Sequence, residues 1–317
     1  MEILIYGFGR MGLTHYTILN ALIPDARFTI IEPNNFLNFF LRKNFKNIKF
    51  LKNDISILRS SDLTLITTPP FVHLDILKKC LERQDKKIFI EKPFGGYTNT
   101  AFDKFSGLKN VYIGYVLRFN PCIQWIKQNI NLEKIKYIRG RFLSNTLEKK
   151  PAGWRNGHFS GVLNEVGSHI IDLIQYIIGY EQMEVLKSEK QSIVSDVDDI
   201  LKAELKTDSE IGVSLYFNWV DKRMRKPVFF LEILMEDGLN YIIDQQQIIL
   251  RDKSQKIIQK YSVTDISEKV PYYLRGIDFT KQMEDLIGNS DNLAKISEAI
   301  SVNVIMKKII EYENNFR

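Results

Sequence analysis

The chain has 317 residues, 44% of them hydrophobic, with neither low-complexity tracts nor repeats, which supports two domains with separate cores and excludes a disordered or fibrous class. Its net charge of +6 is spread along the sequence, and the densest cluster, Lys222 to Lys226, lacks the aromatic interleaving or fold module of a nucleic-acid binder, so it reads as a solvated loop. No apolar run is long enough to span a bilayer and no basic leader precedes the first strand, so a soluble, cytoplasmic protein without a membrane partner is expected.

The strand-forming run 1–6 passes at once into Gly7-Phe8-Gly9-Arg10-Met11-Gly12, a G-x-G-x-x-G. An amphipathic stretch follows up to Pro24, and a second strand over 27–31 closes on Glu32. In such a unit the first glycine permits the tight turn, the second lets the backbone approach a pyrophosphate, and the third lets the helix pack on the strand. The helix start offers free N–H groups to negative charge. Glu32 stands 20 residues beyond Gly12, where a carboxylate can accept from the ribose hydroxyls of a dinucleotide. It would repel a 2′-phosphate, and Pro33-Asn34-Asn35 offers no cation to hold one. NAD is therefore expected over NADP, bound by residues 7–12 and Glu32.

Strand and helix patterns keep alternating to about residue 117: a helix over 36–45, a brief strand at 48–50, a turn or short helix at 54–58 and a buried strand over 63–67. This alternation implies a parallel sheet covered on both faces. Thr68-Pro69-Pro70 forces the chain out of the sheet, and His73 opens a helix beside the expected dinucleotide crevice. A strand at 87–90 delivers Glu91-Lys92-Pro93 to the same edge, a helix at 98–105 follows, and a strand at 111–115 completes this part.

From Phe119-Asn120-Pro121 the character changes. A helix to about 130, a strand over 135–142, an irregular segment over 149–159 and an apolar helix over 162–178 ending at Gly179 precede a succession of strands. These fall near 183–188, 199–205, 212–219, 229–235, 238–244, 248–250 and 256–261, and two helices near 275–287 and 293–313 finish the chain. Strand following strand through turns such as Glu236-Asp237-Gly238 indicates a largely antiparallel open sheet. Apolar residues such as Leu215, Phe217, Trp219, Phe229 and Leu231 are expected in part on its uncovered face, as an assembly surface.

Lys92, fixed between a buried strand and a proline, can aim its amine into the strand-end crevice, although a surface lysine is equally compatible with its spacing. Glu165 and His169 are four apart on one helix, with Asp172 a turn further; they form either a proton-handling pair or an inert surface ion pair. Arg155 beside Trp154 can clamp an anionic or hydroxyl-rich substrate or hold the segment together. Lys149, Lys150 and the 222–226 cluster add positive charge that would favour an anionic substrate. Cys80, Cys122, His158 and His169 have no metal-ligand spacing, and no G-x-S-x-G elbow occurs. No metal is expected.

Thr68-Pro69-Pro70 with His73, Glu91-Lys92-Pro93, Arg118-Phe119-Asn120-Pro121, Trp154-Arg155 and Gly161-x-x-x-Glu165-x-Gly167-x-His169-x-x-Asp172 together resemble the glucose-fructose oxidoreductase / inositol 2-dehydrogenase (Gfo/Idh/MocA) family over nearly the whole chain. The resemblance implies a Rossmann domain at 1–118 and a substrate-binding and oligomerisation α/β domain at 119–317. It implies reversible oxidation of a secondary hydroxyl on a sugar, cyclitol or nucleotide sugar, in homodimers or homotetramers joined through the C-terminal sheet. By position it gives Lys92 and His169 roles in proton transfer, with Glu165 where the family most often has aspartate. Thr68, Pro69, His73, Glu91 and Lys92 would line the cofactor; Lys92, Arg118, Asn120, Trp154, Arg155, Glu165 and His169 the substrate. Relatives of this kind also include NAD-dependent glycosidases and non-catalytic sugar-sensing regulators, which stand as alternatives.

Overall fold

The computed structural model describes the chain apart from residues 46–47, 53–58, 97–99, 153–159, 268, 270–274, 289–290 and 313–317. In chain order it forms β1 (Glu2–Tyr6), α1 (Arg10–Leu22), β2 (Arg27–Ile31), α2 (Asn35–Asn44), β3 (Lys49–Leu51), β4 (Leu63–Ile66), α3 (His73–Glu82), β5 (Ile88–Ile90) and β6 (Val111–Ile113). Then follow α4 (Pro121–Asn129), β7 (Ile135–Leu143), α5 (Ser168–Ile178), β8 (Met183–Gln191), β9 (Ile200–Thr207), β10 (Gly212–Asn218) and β11 (Val228–Met235). The chain ends with β12 (Asn240–Ile243), β13 (Gln247–Arg251), β14 (Ile257–Ser262), α6 (Val263–Ile266), α7 (Ile277–Gly288), β15 (Ala294–Lys295) and α8 (Ile296–Glu311).

Two compact units result. The first comprises Met1–Gly95, Ala101–Val116 and Val270–Ser297; the second comprises Gly96–Thr100, Leu117–Lys269 and Glu298–Arg317. The expected division at 118 thus falls two residues earlier, and 119–317 does not stay together. Helix α7 packs on α1, and β15 adds an antiparallel edge to β6, which draws this C-terminal stretch back into the first unit.

Among the described residues the first unit holds a sheet of order β15-β6-β5-β4-β1-β2-β3. It is parallel from β6 through β3, as the alternating pattern implies. Strands β4 and β5 are buried at every position because helices cover both faces, and each apolar side chain so buried contributes about 1.5–3 kcal/mol. The strand order reverses at β1, between β2 and β4, which is where open α/β sheets leave a crevice at their carboxyl edge.

The second unit holds a sheet of order β14-β13-β12-β11-β7-β10-β9-β8, antiparallel throughout except for the β7–β10 pair. Alternation marks β10, up to the buried Asn218 at its end, and β11: Val213, Leu215 and Phe217, and Phe229, Leu231 and Ile233, are buried, while the residues between them are half-buried. All five apolar residues expected in part on the open face therefore lie in the core, Trp219 included. The other face carries Tyr137, Arg139, Arg141, Tyr216, Phe230 and Glu232, with Arg139 paired to Glu232 at 2.5 Å. Helix α5 ends as its sequence predicts, with Gly179 in the left-handed region at φ 96°.

Candidate functional site

The glycine turn assigns a different task to each glycine. Gly7 adopts φ +80°, a conformation that strains residues with a Cβ. A Cβ on Gly12 would lie 2.2 Å from the Gly7 carbonyl oxygen, so α1 can approach β1 only without a side chain there, whereas a Cβ on Gly9 would meet nothing within 4 Å. The backbone at Gly9 is thus open on the side where a pyrophosphate would approach. Phe8 turns its ring into the core against Tyr16, Phe45 and Phe50, leaving only its backbone to the loop. The Phe8 N–H donates to Glu32 Oε2 at 2.8 Å, and the Asn34 N–H donates to Oε1 at 2.9 Å. Each carboxylate oxygen keeps a lone pair for a ribose hydroxyl. Arg10 is exposed and Met11 half-buried.

Thr67, which sequence reasoning passed over, ties the end of β4 to this turn: its hydroxyl donates to the Tyr6 and Gly7 carbonyls at 2.9 and 2.6 Å. The Thr68 hydroxyl is buried without a hydrogen-bond partner, and Pro69 is exposed beside it. These residues fit a dinucleotide: an open glycine backbone, an anchored acid and an unsatisfied hydroxyl along one strand edge.

His73 corrects the expectation of cofactor contact. Its ring is fully buried, and Nε2 sits 2.8 Å from the Thr68 carbonyl oxygen. Burial pushes its pKa down to about 4, so it is neutral and supports the turn from behind. Glu91 also faces inward, with Oε1 2.5 Å from Nε2 of His15, a buried histidine on α1. Sequence gave no sign of that partner 76 residues away. Lys92 follows half-buried, before a cis Pro93.

In the second unit the expected helix over 162–178 begins with a π turn, Leu163–Gly167, before α5. Asp198 holds that start: its carboxylate accepts from the Leu163 N–H at 2.8 Å and its carbonyl from the Val162 N–H at 2.7 Å. Gly161, at φ +105°, leaves room for it, since a Cβ there would lie 2.2 Å from Asp198 Oδ1. Burial raises the Asp198 pKa to about 6. Glu165 stands half-buried in the π turn and His169 buried in the first turn of α5, so their spacing is not that of a regular α-helix. π turns recur at functional sites.

Asp172 does not continue their stripe. It is bound by Arg118, whose Nε and Nη2 donate to its two oxygens at 2.9 and 2.5 Å, while Nη1 donates to Glu298 at 2.8 Å and Nη2 also reaches the Tyr180 hydroxyl. Arg118 is 1% exposed. Burial acts to lower its pKa, but the Asp172 charge and hydrogen bonds more than offset this and raise it. A guanidinium so committed is a core strut, which corrects its assignment to substrate. Asn120 is corrected likewise: its Oδ1 caps α4 through the Cys122 N–H at 3.0 Å, and its Nδ2 donates to the Gln245 carbonyl at 3.2 Å. Trp154, Arg155 and His158 lie outside the described residues, as does the turn expected at 54–58. Lys150 and Arg223 are each paired to a carboxylate, Asp196 and Asp221, which weakens the expectation of an anion-attracting surface. Among the described residues no group of His, Cys, Asp and Glu could hold a metal, and no helix is long and apolar enough to cross a membrane.

Residues 1–103 match the family model described as "Oxidoreductase family, NAD-binding Rossmann fold", and residues 126–239 match "GFO/IDH/MocA C-terminal domain". Inositol 2-dehydrogenase 1 of Paenarthrobacter aurescens (strain TC1) is 24% identical over 239 residues, covering 69% of this chain and 67% of that protein. Levoglucosan dehydrogenase in complex with NADH and levoglucosan superposes with a TM-score of 0.81 at 18% identity, covering 98% of this chain and 96% of that one. UDP-N-acetylglucosamine 3-dehydrogenase from Acidithiobacillus ferrooxidans gives 0.75 at 17% identity with the same coverage. At these identities the solved structures establish the fold.

Proposed function

The chain belongs to the GFO/IDH/MocA oxidoreductase family, and we propose that it oxidises a secondary hydroxyl, or reduces the matching ketone, of a sugar, cyclitol or nucleotide sugar with NAD. The observation that carries this reading is the first unit's cofactor edge: Gly9 open, Gly12 closed and Glu32 anchored by the Phe8 N–H. NAD supplies hydride transfer when bound. The protein's own part is to orient the alcohol and move its proton. In this reading Lys92 and His169 act on the hydroxyl proton and Glu165 orients or charges His169, roles open to positioned side chains in general acid–base catalysis. The relatives named above act on an inositol, an anhydrosugar and a nucleotide sugar, which supports a substrate rich in hydroxyls. A panel of inositols, free sugars and nucleotide sugars, followed by net formation of reduced cofactor, tests the proposal. Bound NAD with no net reduction on any of them would sink it in favour of a glycosidase or a regulator.

Glu32 should set the cofactor choice. NAD is expected to bind more tightly than NADP by at least ~10-fold, about 1.4 kcal/mol, because the carboxylate repels a 2′-phosphate. Glu32→Gln should narrow that gap while still accepting from the Phe8 N–H. Calorimetric titration of both cofactors checks this; tighter NADP binding by the unaltered chain would refute it.

The open face of the second sheet supports homo-oligomerisation. Tyr137, Tyr216 and Phe230 alternate there with Arg139, Arg141 and Lys202, an amphipathic surface of the kind that buries against a copy of itself. Light scattering at micromolar concentration should give a dimer or tetramer, and a strictly monomeric mass would rule this out.

A further inference from the structure

We propose that His15 is a positioning residue for Lys92: its buried contact with Glu91 fixes the Glu91-Lys92-Pro93 turn against α1, so that the lysine and the glycine turn share one rigid frame. The inference rests on the role given to Lys92 in the proposed function and names what holds that lysine in place.

His15 is 0% exposed and lies on the sheet-facing side of α1 with Gly12, Ile18 and Leu19, which are also buried. Its Nε2 is 2.5 Å from Glu91 Oε1. Phe89 meets the ring edge-on at 5.3 Å between centroids, and Phe279 of α7 lies at 6.5 Å. The Glu91 carboxylate is confined from the other side by Gly114, where a Cβ would come within 3.2 Å of the Glu91 carboxyl carbon. The Glu91 N–H donates to the Ile66 carbonyl at 2.9 Å, continuing the β4–β5 ladder. Backbone and side chain of Glu91 are thus both fixed, and Lys92 is the next residue.

An apolar pair of equal volume would join helix to strand as firmly, because desolvation consumes much of what a buried polar pair contributes. What His15 and Glu91 add is direction, since a hydrogen bond tolerates one arrangement where apolar contact tolerates several. Helix α1 begins at Arg10, immediately after Gly9. The same helix that presents N–H groups to the cofactor therefore also sets the orientation of the lysine turn.

The test compares His15→Leu, His15→Gln, Glu91→Leu, Lys92→Ala and the His15→Leu/Lys92→Ala pair for turnover, NAD affinity and unfolding midpoint. In the cofactor-free chain, the rate of Lys92 acylation by an amine-directed reagent is followed by peptide mass spectrometry. His15→Leu should lower kcat by roughly 10–100-fold, the scale set by a displacement of about 1 Å, and raise the acylation rate several-fold. His15→Gln keeps a donor toward Glu91 and should recover most of the loss. The double variant should be no slower than Lys92→Ala, because a positioning residue has nothing left to position. Should His15→Leu fail to fold, Glu91→Leu, which leaves no acceptor for His15 Nε2, gives the same reading from the other partner. Multiplying losses in the double variant, or unchanged Lys92 acylation, would overturn the inference. Wild-type turnover in folded His15→Leu beside a slow Lys92→Ala removes this inference alone; wild-type turnover in Lys92→Ala removes it together with the proposed role of the lysine.

Discussion

Replacing Lys92 with alanine is expected to lower kcat by roughly 10²–10⁴-fold, the range for a positioned proton-transfer group. The reason is local. Strand β5 is buried at all of Ile88, Phe89 and Ile90, Glu91 is held by His15, and the lysine that follows is half-buried at the strand end. NAD affinity should change little, because the proposed phosphate site is made from the backbone of Gly7 to Gly12. The predicted signature is therefore a fall in kcat with cofactor binding intact, measured by steady-state kinetics and calorimetry on the same preparation. His169→Ala should likewise slow turnover and flatten its pH profile. Near-wild-type kcat in folded Lys92→Ala would remove the lysine from the proton-transfer step.

Arg118→Ala is expected to destabilise the second unit by about 3–5 kcal/mol, the cost of removing one partner from a buried ion pair. Asp172 is completely buried, and its oxygens receive Nε and Nη2 of Arg118. Alanine would strand that carboxylate and remove the guanidinium from the Tyr176 ring, whose centroid it overlies at 4.9 Å. Urea unfolding of the variant measures the loss. A substrate-binding arginine behaves differently, raising KM while the unfolding midpoint stays put, and that outcome would restore the reading taken from the sequence.

Strand β1, the glycine turn and Glu32 were legible because each obeys a local rule, and local rules are what a sequence prints. The roles of Gly7, Gly9 and Gly12 follow from spacing and appear in the structure as a positive φ, an open side and a closed side. Arginine and asparagine near a strand edge look alike in sequence whether they face solvent or core, so the sequence does not tell that Arg118 and Asn120 have partners inside the fold. Only the tertiary arrangement of Asp172, Glu298 and Tyr180 shows which. Alternation in β10 and β11 was plain, but periodicity alone does not say which parity faces the helices; Leu215 and Phe229 took the covered side. His15 and Glu91 lie 76 residues apart, beyond any local pattern. The return of α7 and β15 to the first unit depends on a two-residue strand, too short for periodicity to reveal.

The most direct test of hydride transfer follows a label. A substrate from the panel is prepared with deuterium on the carbon that bears the reacting hydroxyl, mixed with the protein and NAD, and the cofactor is recovered for mass spectrometry. Reduced nicotinamide carrying that deuterium is the predicted result. Unlabelled, fully oxidised NAD, recovered from a protein shown by calorimetry to bind both cofactor and substrate, would contradict the account.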